Sequence, residues 1–266
     1  MLLVAALAIV AALTAAGPAL GAPVGIAVTD RAGDQPNPQL DLRAARVAFD
    51  QPTGTLNAAV SLGAPPTYLA TNSMSVDLGR SDSQTGSCES RFSASILLPE
   101  PGDLELTPVA ELYPGGGDEP IGPLPTVVNG ATFSFSSAGA SPAVLNALRG
   151  QRLNCASVHT SAARTFDTAD RIAEQPMLSG PKPRCKIGPR SVRGGRSFRF
   201  ACKGAPRKIG VSIFPQRGRD VFRGTERPRK GRFRVPAIKA IRGGKAYISL
   251  FSGDTAFARY LVTIRR

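Results

Sequence analysis

Two groups of side chains in this sequence could do chemistry. The first is acidic: Asp30, Asp34 and Asp41, with Asn37, fall within twelve residues around Gly33. Carboxylates and amides clustered in a loop supply the hard oxygen ligands that Ca²⁺ accepts in flexible geometry. The spacing is not that of an EF-hand. The same residues serve equally as Asx-turns that satisfy the backbone of an entry loop before a strand near Asp41. No cofactor other than Ca²⁺ has a foothold, and a second acidic loop with Asp118 and Glu119 is too sparse to add one.

The second group is basic. Residues 217–234 hold eight cations, Arg217, Arg219, Arg223, Arg227, Arg229, Lys230, Arg232 and Arg234, against Asp220 and Glu226. On a strand, Arg232 and Arg234 alternate with Phe233 and Val235, so the cations project together from the face opposite the apolar pair. Arg199 stands in the same relation to Phe198 and Phe200. A sheet face of this kind attracts polyanions through its summed field, with binding that weakens as salt rises.

Other chemistries are poorly provided for. With one His, four Cys and no Trp, the chain cannot build a multi-histidine metal centre or an indole platform for sugars. A Ser-His-Asp triad would have to use His159, and there is no G-x-S-x-G. Hydrolysis by a carboxylate pair drawn from Glu89, Glu100, Asp103, Glu105 and Glu111 remains formally open. The absence of C-x-x-C removes support for thioredoxin-like exchange, and there is no phosphate-binding glycine loop.

The elements that must carry these residues divide in two. Residues 1–180 contain 9 Lys+Arg and 16 Asp+Glu, net −7, whereas residues 181–266 contain 24 and 3, net +21, and together they give +14. Arg outnumbers Lys 26 to 7, so coding bias explains part of the arginine content. It does not explain the partition. All seven lysines lie after residue 180.

Residues 1–21 read as a signal peptide: an apolar run from Leu2 to Ala16, a Gly17-Pro18 break, then small residues at Ala19 and Gly21 before Ala22. The rival reading is an uncleaved anchor, since no charge appears before Asp30. In an exported chain four cysteines pair into two disulfides. Three pairings are formally possible. Cys88–Cys155 with Cys185–Cys202 is preferred because neither bond crosses the domain boundary, and chain entropy assigns them about 4 and about 3 kcal/mol.

Residues 22–166 read as a mildly acidic β-sandwich. Leu56, Ala58, Val60 and Leu62 alternate after a turn at 50–54, as do Met74, Val76 and Leu78, and Phe92, Ala94, Ile96 and Leu98. Further strands are expected over 104–113, 126–136 and 152–159. The one helix is expected over 142–149, with Ser141 as cap, Pro142 at the first position and Gly150 as terminator. Residues 167–183 read as a linker. Residues 184–266, with about six strands, read as a small basic immunoglobulin-like sandwich. The fold class is therefore all-β: two β-sandwich domains, the second small and immunoglobulin-like, after a signal peptide.

The function that follows is that of a secreted or cell-surface, non-enzymatic binding protein. Its basic domain would engage an anionic envelope polymer, a polysaccharide or a lipid surface, with nucleic acid a lesser candidate. Docking of the oppositely charged domains would partly mask the basic face. An extracellular hydrolase and a Ca²⁺-dependent adhesion module are the alternatives.

Overall fold

The computed structural model describes residues 23–65, 71–82, 88–97, 108–162, 168–215, 222–237 and 244–265. The expected signal peptide, residues 1–21, lies outside the described residues.

Alternation builds the first domain. Its strands are β1 (Val24–Thr29), β2 (Leu42–Asp50), β3 (Thr55–Leu62), β4 (Thr71–Ser81), β5 (Cys88–Leu97), β6 (Ala110–Pro114), β7 (Gly122–Leu124), β8 (Thr126–Asn129), β9 (Thr132–Ser136), β10 (Cys155–Ala162) and β11 (Thr168–Pro176), with α1 (Pro142–Leu148) before β10. Two antiparallel sheets result, ordered β1-β2-β3-β9-β8 and β11-β10-β4-β5-β6-β7. The β2–β3 hairpin turns where the Asp50 to Gly54 composition places it, with Gly54 at φ 73°. Met74, Val76 and Leu78 of β4 face Ile96, Ala94 and Phe92 of β5, so one face of each strand enters the core. A single cluster running from Ile26 to Met177 fills the space between the sheets.

The helix forms as its caps predict. The Ser141 hydroxyl accepts from the Val144 N–H, Pro142 opens the first turn, and Val144 and Leu148 are buried.

Three expectations are corrected. Residues 168–176, read as linker, form β11, the edge strand beside β10, and Met177 is fully buried in the first core. The connector shrinks to residues 178–183. Residues 126–136 are not one strand but the β8–β9 hairpin, turned at Gly130-Ala131 just after Asn129. Of the strand expected over 104–113, the described part is β6.

The second domain has eight strands: β12 (Arg184–Ile187), β13 (Ser191–Arg193), β14 (Ser197–Lys203), β15 (Ile209–Pro215), β16 (Phe222–Glu226), β17 (Arg232–Pro236), β18 (Gly244–Ser252) and β19 (Thr255–Arg265). They form a three-stranded sheet, β12-β14-β17, packed on a five-stranded sheet, β13-β19-β18-β15-β16. The pairing of β13 with β19 is parallel and the others are antiparallel. Repeated crossing between the sheets gives an immunoglobulin-like sandwich. Phe198, Phe200, Ile213, Phe233, Ile248 and Val262 are among its core residues.

Both disulfides form as the preferred pairing has them, Cys88 with Cys155 and Cys185 with Cys202. The first passes against Gly79, where an added Cβ would lie 2.7 Å from Cys88 Sγ, so β4 needs glycine there. The second joins directly opposed residues of β12 and β14, within one sheet. It is not the bond between sheets that antibody domains use. Two such bonds belong to an oxidising compartment. No helix among the described residues is long and apolar enough to cross a membrane.

Candidate functional site

The basic face is built by period two on the three-stranded sheet. On β14, Phe198, Phe200 and Cys202 are buried while Arg199, Ala201 and Lys203 are exposed. On β17, Phe233 and Val235 are buried while Arg232 and Arg234 are exposed. On β12, Arg184 and Lys186 are exposed. The register then sets the cations side by side: Arg184 opposite Lys203, Lys186 and Arg232 both opposite Ala201, and Arg199 opposite Arg234.

Six cations thus share one face, and these three strands contain no acidic residue. None of the six has an ion-pair partner among the described residues. Like charges directly opposite one another on a sheet are destabilising. The packing beneath holds them there. Phe200 stacks on Phe233 at 5.0 Å and meets Tyr260 edge-on at 5.4 Å. The Tyr260 hydroxyl donates to the Cys185 carbonyl at 2.8 Å, and burial pushes its pKa up.

The expected residues divide accordingly. Arg199, Arg232 and Arg234 lie on this face. Arg229 and Lys230 lie in the tight turn that enters β17, where Lys230 is left-handed at φ 51°. Arg227 is exposed ahead of that turn. Arg223 stands on β16 in the other sheet, opposite Ser212, and lines a cleft of about 530 Å³ with Arg80, Glu89, Arg91 and Asp254. Arg217 and Arg219 lie outside the described residues. Arg184, Lys186 and Lys203 join the face from outside the set expected from sequence, each alternating with an inward-facing cysteine or isoleucine.

A larger groove, about 1300 Å³, runs between the outer side of the β1-to-β8 sheet and the connector. Its titratable lining is Arg46, Lys182 and Arg184. Arg184 belongs both to this groove and to the basic face, so the cationic surface continues from one to the other.

The acidic residues sort differently from expectation. Carboxylate oxygens of Asp34, Asp41 and Asp170 lie within 4.8 Å of one another, and Asp30 is not in the group. Asp41 is 1% exposed, and its Oδ2 accepts from the Gly33 N–H at 3.1 Å and from Arg43 at 2.8 Å. Asp170 accepts from the Leu42 N–H and the Arg171 N–H, both at 2.7 Å. Burial raises the Asp170 pKa, with Asp34 and Asp30 adding to the rise against those two hydrogen bonds.

Among the described residues no serine or threonine hydroxyl bonds His159. Its Nδ1 lies 3.2 Å from Asp77 Oδ2, to which the Ser157 hydroxyl also donates at 3.2 Å. Ser157 and His159 both bond the aspartate and not each other, so Ser157 is not placed as a hydroxyl activated by His159. Burial raises the Asp77 pKa, but the His159 hydrogen bond and charge, with Ser93 and Ser157, outweigh it and hold the group below its usual 3.8. Of the carboxylates weighed for hydrolysis, Glu100, Asp103 and Glu105 lie outside the described residues. Glu89 pairs with Arg91 at 2.8 Å, and Glu111 accepts from the Tyr113 hydroxyl at 2.7 Å. Tyr113 is pushed up to about 12 by burial and by that carboxylate.

No family model matches the chain, and no curated protein matches it. Among solved structures it is similar to the amphioxus IgVJ-C2 molecule, at 9% identity over 79% of this chain and 96% of that one, with a TM-score of 0.19. It is also similar to DIP-gamma IG1+IG2, at 10% identity over 79% and 88%, again with a TM-score of 0.19. Likeness at that level carries no argument about function. The immunoglobulin-like character of the second domain rests on its own strand order.

Proposed function

We propose that this is an exported, non-enzymatic binding protein whose second domain holds an anionic envelope polymer on the outer face of its three-stranded sheet. The observation that carries this reading is the set Arg184, Lys186, Arg199, Lys203, Arg232 and Arg234, all exposed on strands with no acid among them. Arginine forks match carboxylate, sulfate and phosphate oxygens two at a time, while lysines add point charge. Strands lie about 4.8 Å apart, so neighbouring rows can contact successive anionic groups of an extended chain. Two disulfides fit a protein working outside the reducing cytoplasm.

An acidic polysaccharide such as heparin is the probe. The full chain should bind it with an affinity that falls steeply between about 50 and 200 mM salt, as counterion release requires. Replacing Arg199 and Arg234 together by serine should weaken binding about tenfold or more and flatten the salt dependence. Unchanged affinity in that double variant would defeat the reading. Tighter binding to duplex DNA than to the polysaccharide at equal salt would replace the envelope polymer by nucleic acid.

A further inference from the structure

We propose that Asp34, Asp41 and Asp170 form a Ca²⁺ site that ties the entry loop and the start of β2, in one sheet of the first domain, to β11 in the other. Three carboxylates contribute oxygens within 4.8 Å of one another. Arg43 is paired with one of them, which leaves a formal charge of −2 on the four side chains. That matches a divalent ion.

Asp41 carries a second feature, independent of the clustering. Its Oδ2 is engaged by Gly33 and Arg43, yet its Oδ1 is buried and has no hydrogen-bond partner among the described residues. A buried carboxylate oxygen without a donor is costly, and a cation bound by the Asp41 carboxylate would offset that cost. The donor set is all oxygen, with neither His nor Cys, which disfavours zinc. The donors come from a loop, the start of a strand and an edge strand. Ca²⁺ tolerates such uneven geometry, whereas Mg²⁺ demands a near-ideal octahedron.

The site is held in place without the ion. The Leu42 and Arg171 N–H groups orient Asp170, and Gln35 Nε2 donates to the Ala169 carbonyl at 2.6 Å, fastening the loop to β11. Thr160 Oγ1 donates to the Leu40 carbonyl at 2.7 Å beside Asp41. Binding should therefore add to an existing fold. It should also be independent of the cationic face, which lies in the other domain.

The experiment is calorimetric titration of the metal-stripped full chain with CaCl₂, alongside thermal melts in CaCl₂, MgCl₂ and EGTA. One Ca²⁺ per chain is expected, with a melting temperature that climbs with Ca²⁺, returns in EGTA and responds less to Mg²⁺. Asp34→Asn, at an exposed position, should keep the metal-free melting temperature and weaken binding about tenfold or more, because ligand charge sets affinity. Glu119→Gln, also exposed but outside the cluster, should bind as the parent does. No binding heat and no shift at millimolar Ca²⁺ would overturn the proposal. So would an Asp34→Asn protein that binds like the parent, or a Glu119→Gln protein that loses binding equally. The titration of the unmodified chain stands however the variants fold.

Discussion

At the scale of single residues, the turn into β17 is the most demanding point of the basic face. Lys230 and Gly231 are both left-handed, at φ 51° and 73°, and the Gly231 carbonyl accepts from the Cys202 N–H at 2.7 Å. A Cβ at Gly231 would collide with the Cys202 carbonyl oxygen. Gly231→Ala should therefore cost about 2 kcal/mol or more in urea denaturation, since both backbone conformation and contact oppose it. A loss under about 0.5 kcal/mol would show that the turn adapts. In the first domain, Asp77 has a folded pKa below its unfolded one. Its contribution is thus present above the unfolded value of 3.8 and is lost as pH falls through the lower folded value. His159→Ala should cost about 1 kcal/mol at pH 5, and the difference from the parent should shrink towards pH 2. An equal loss at both pH values would assign His159 a packing role instead.

At the scale of elements, β15 and β18 bring Ser212 and Ser249 opposite each other, both buried and both without a hydrogen-bond partner among the described residues. An unpaired hydroxyl in a core stabilises nothing, so Ser249→Ala should raise stability by about 1 kcal/mol. Calorimetric melting checks this, and a clear drop would mean that the hydroxyl is satisfied. The long amphipathic elements were legible in advance because their period is local: β3, β4, β5, β14 and α1 each carry a complete signal in a few residues. The β8–β9 hairpin is not legible although Asn129-Gly130 marks the turn, because Val127 and Val128 on one side and Phe133 and Phe135 on the other read as one apolar run. Strands β12 and β13, of four and three residues, are too short for alternation to register, so Arg184 and Lys186 went unassigned. The sequence of β11, TADRIAEQP, reads as linker because this exposed edge strand buries little beyond Ile172. Asp170 is therefore not legible as a partner of the acidic loop, because only folding brings it there from 129 positions beyond Asp41.

At the scale of the whole molecule, the charge partition becomes a geometry. The connector is tied to the first domain by a two-way backbone ladder between Gly25 and Leu178, both bonds at 3.0 Å, and the domains touch where Asn154 Nδ2 donates to the Asp254 carbonyl at 3.1 Å. These contacts leave the six cations of the short sheet exposed, so the masking anticipated from opposite domain charges does not occur on this face. Binding should depend on where the cations are, not on how many there are. The direct measurement compares heparin affinity at fixed salt for three full-length proteins: the parent, a variant with Arg199, Arg232 and Arg234 changed to serine, and a charge-matched variant with Arg149, Arg152 and Arg171 of the first domain changed to serine. The first variant should lose about a hundredfold while the second stays within about threefold of the parent. Equal losses in both would show that the polyanion reads only total charge, and would contradict the assignment of the face.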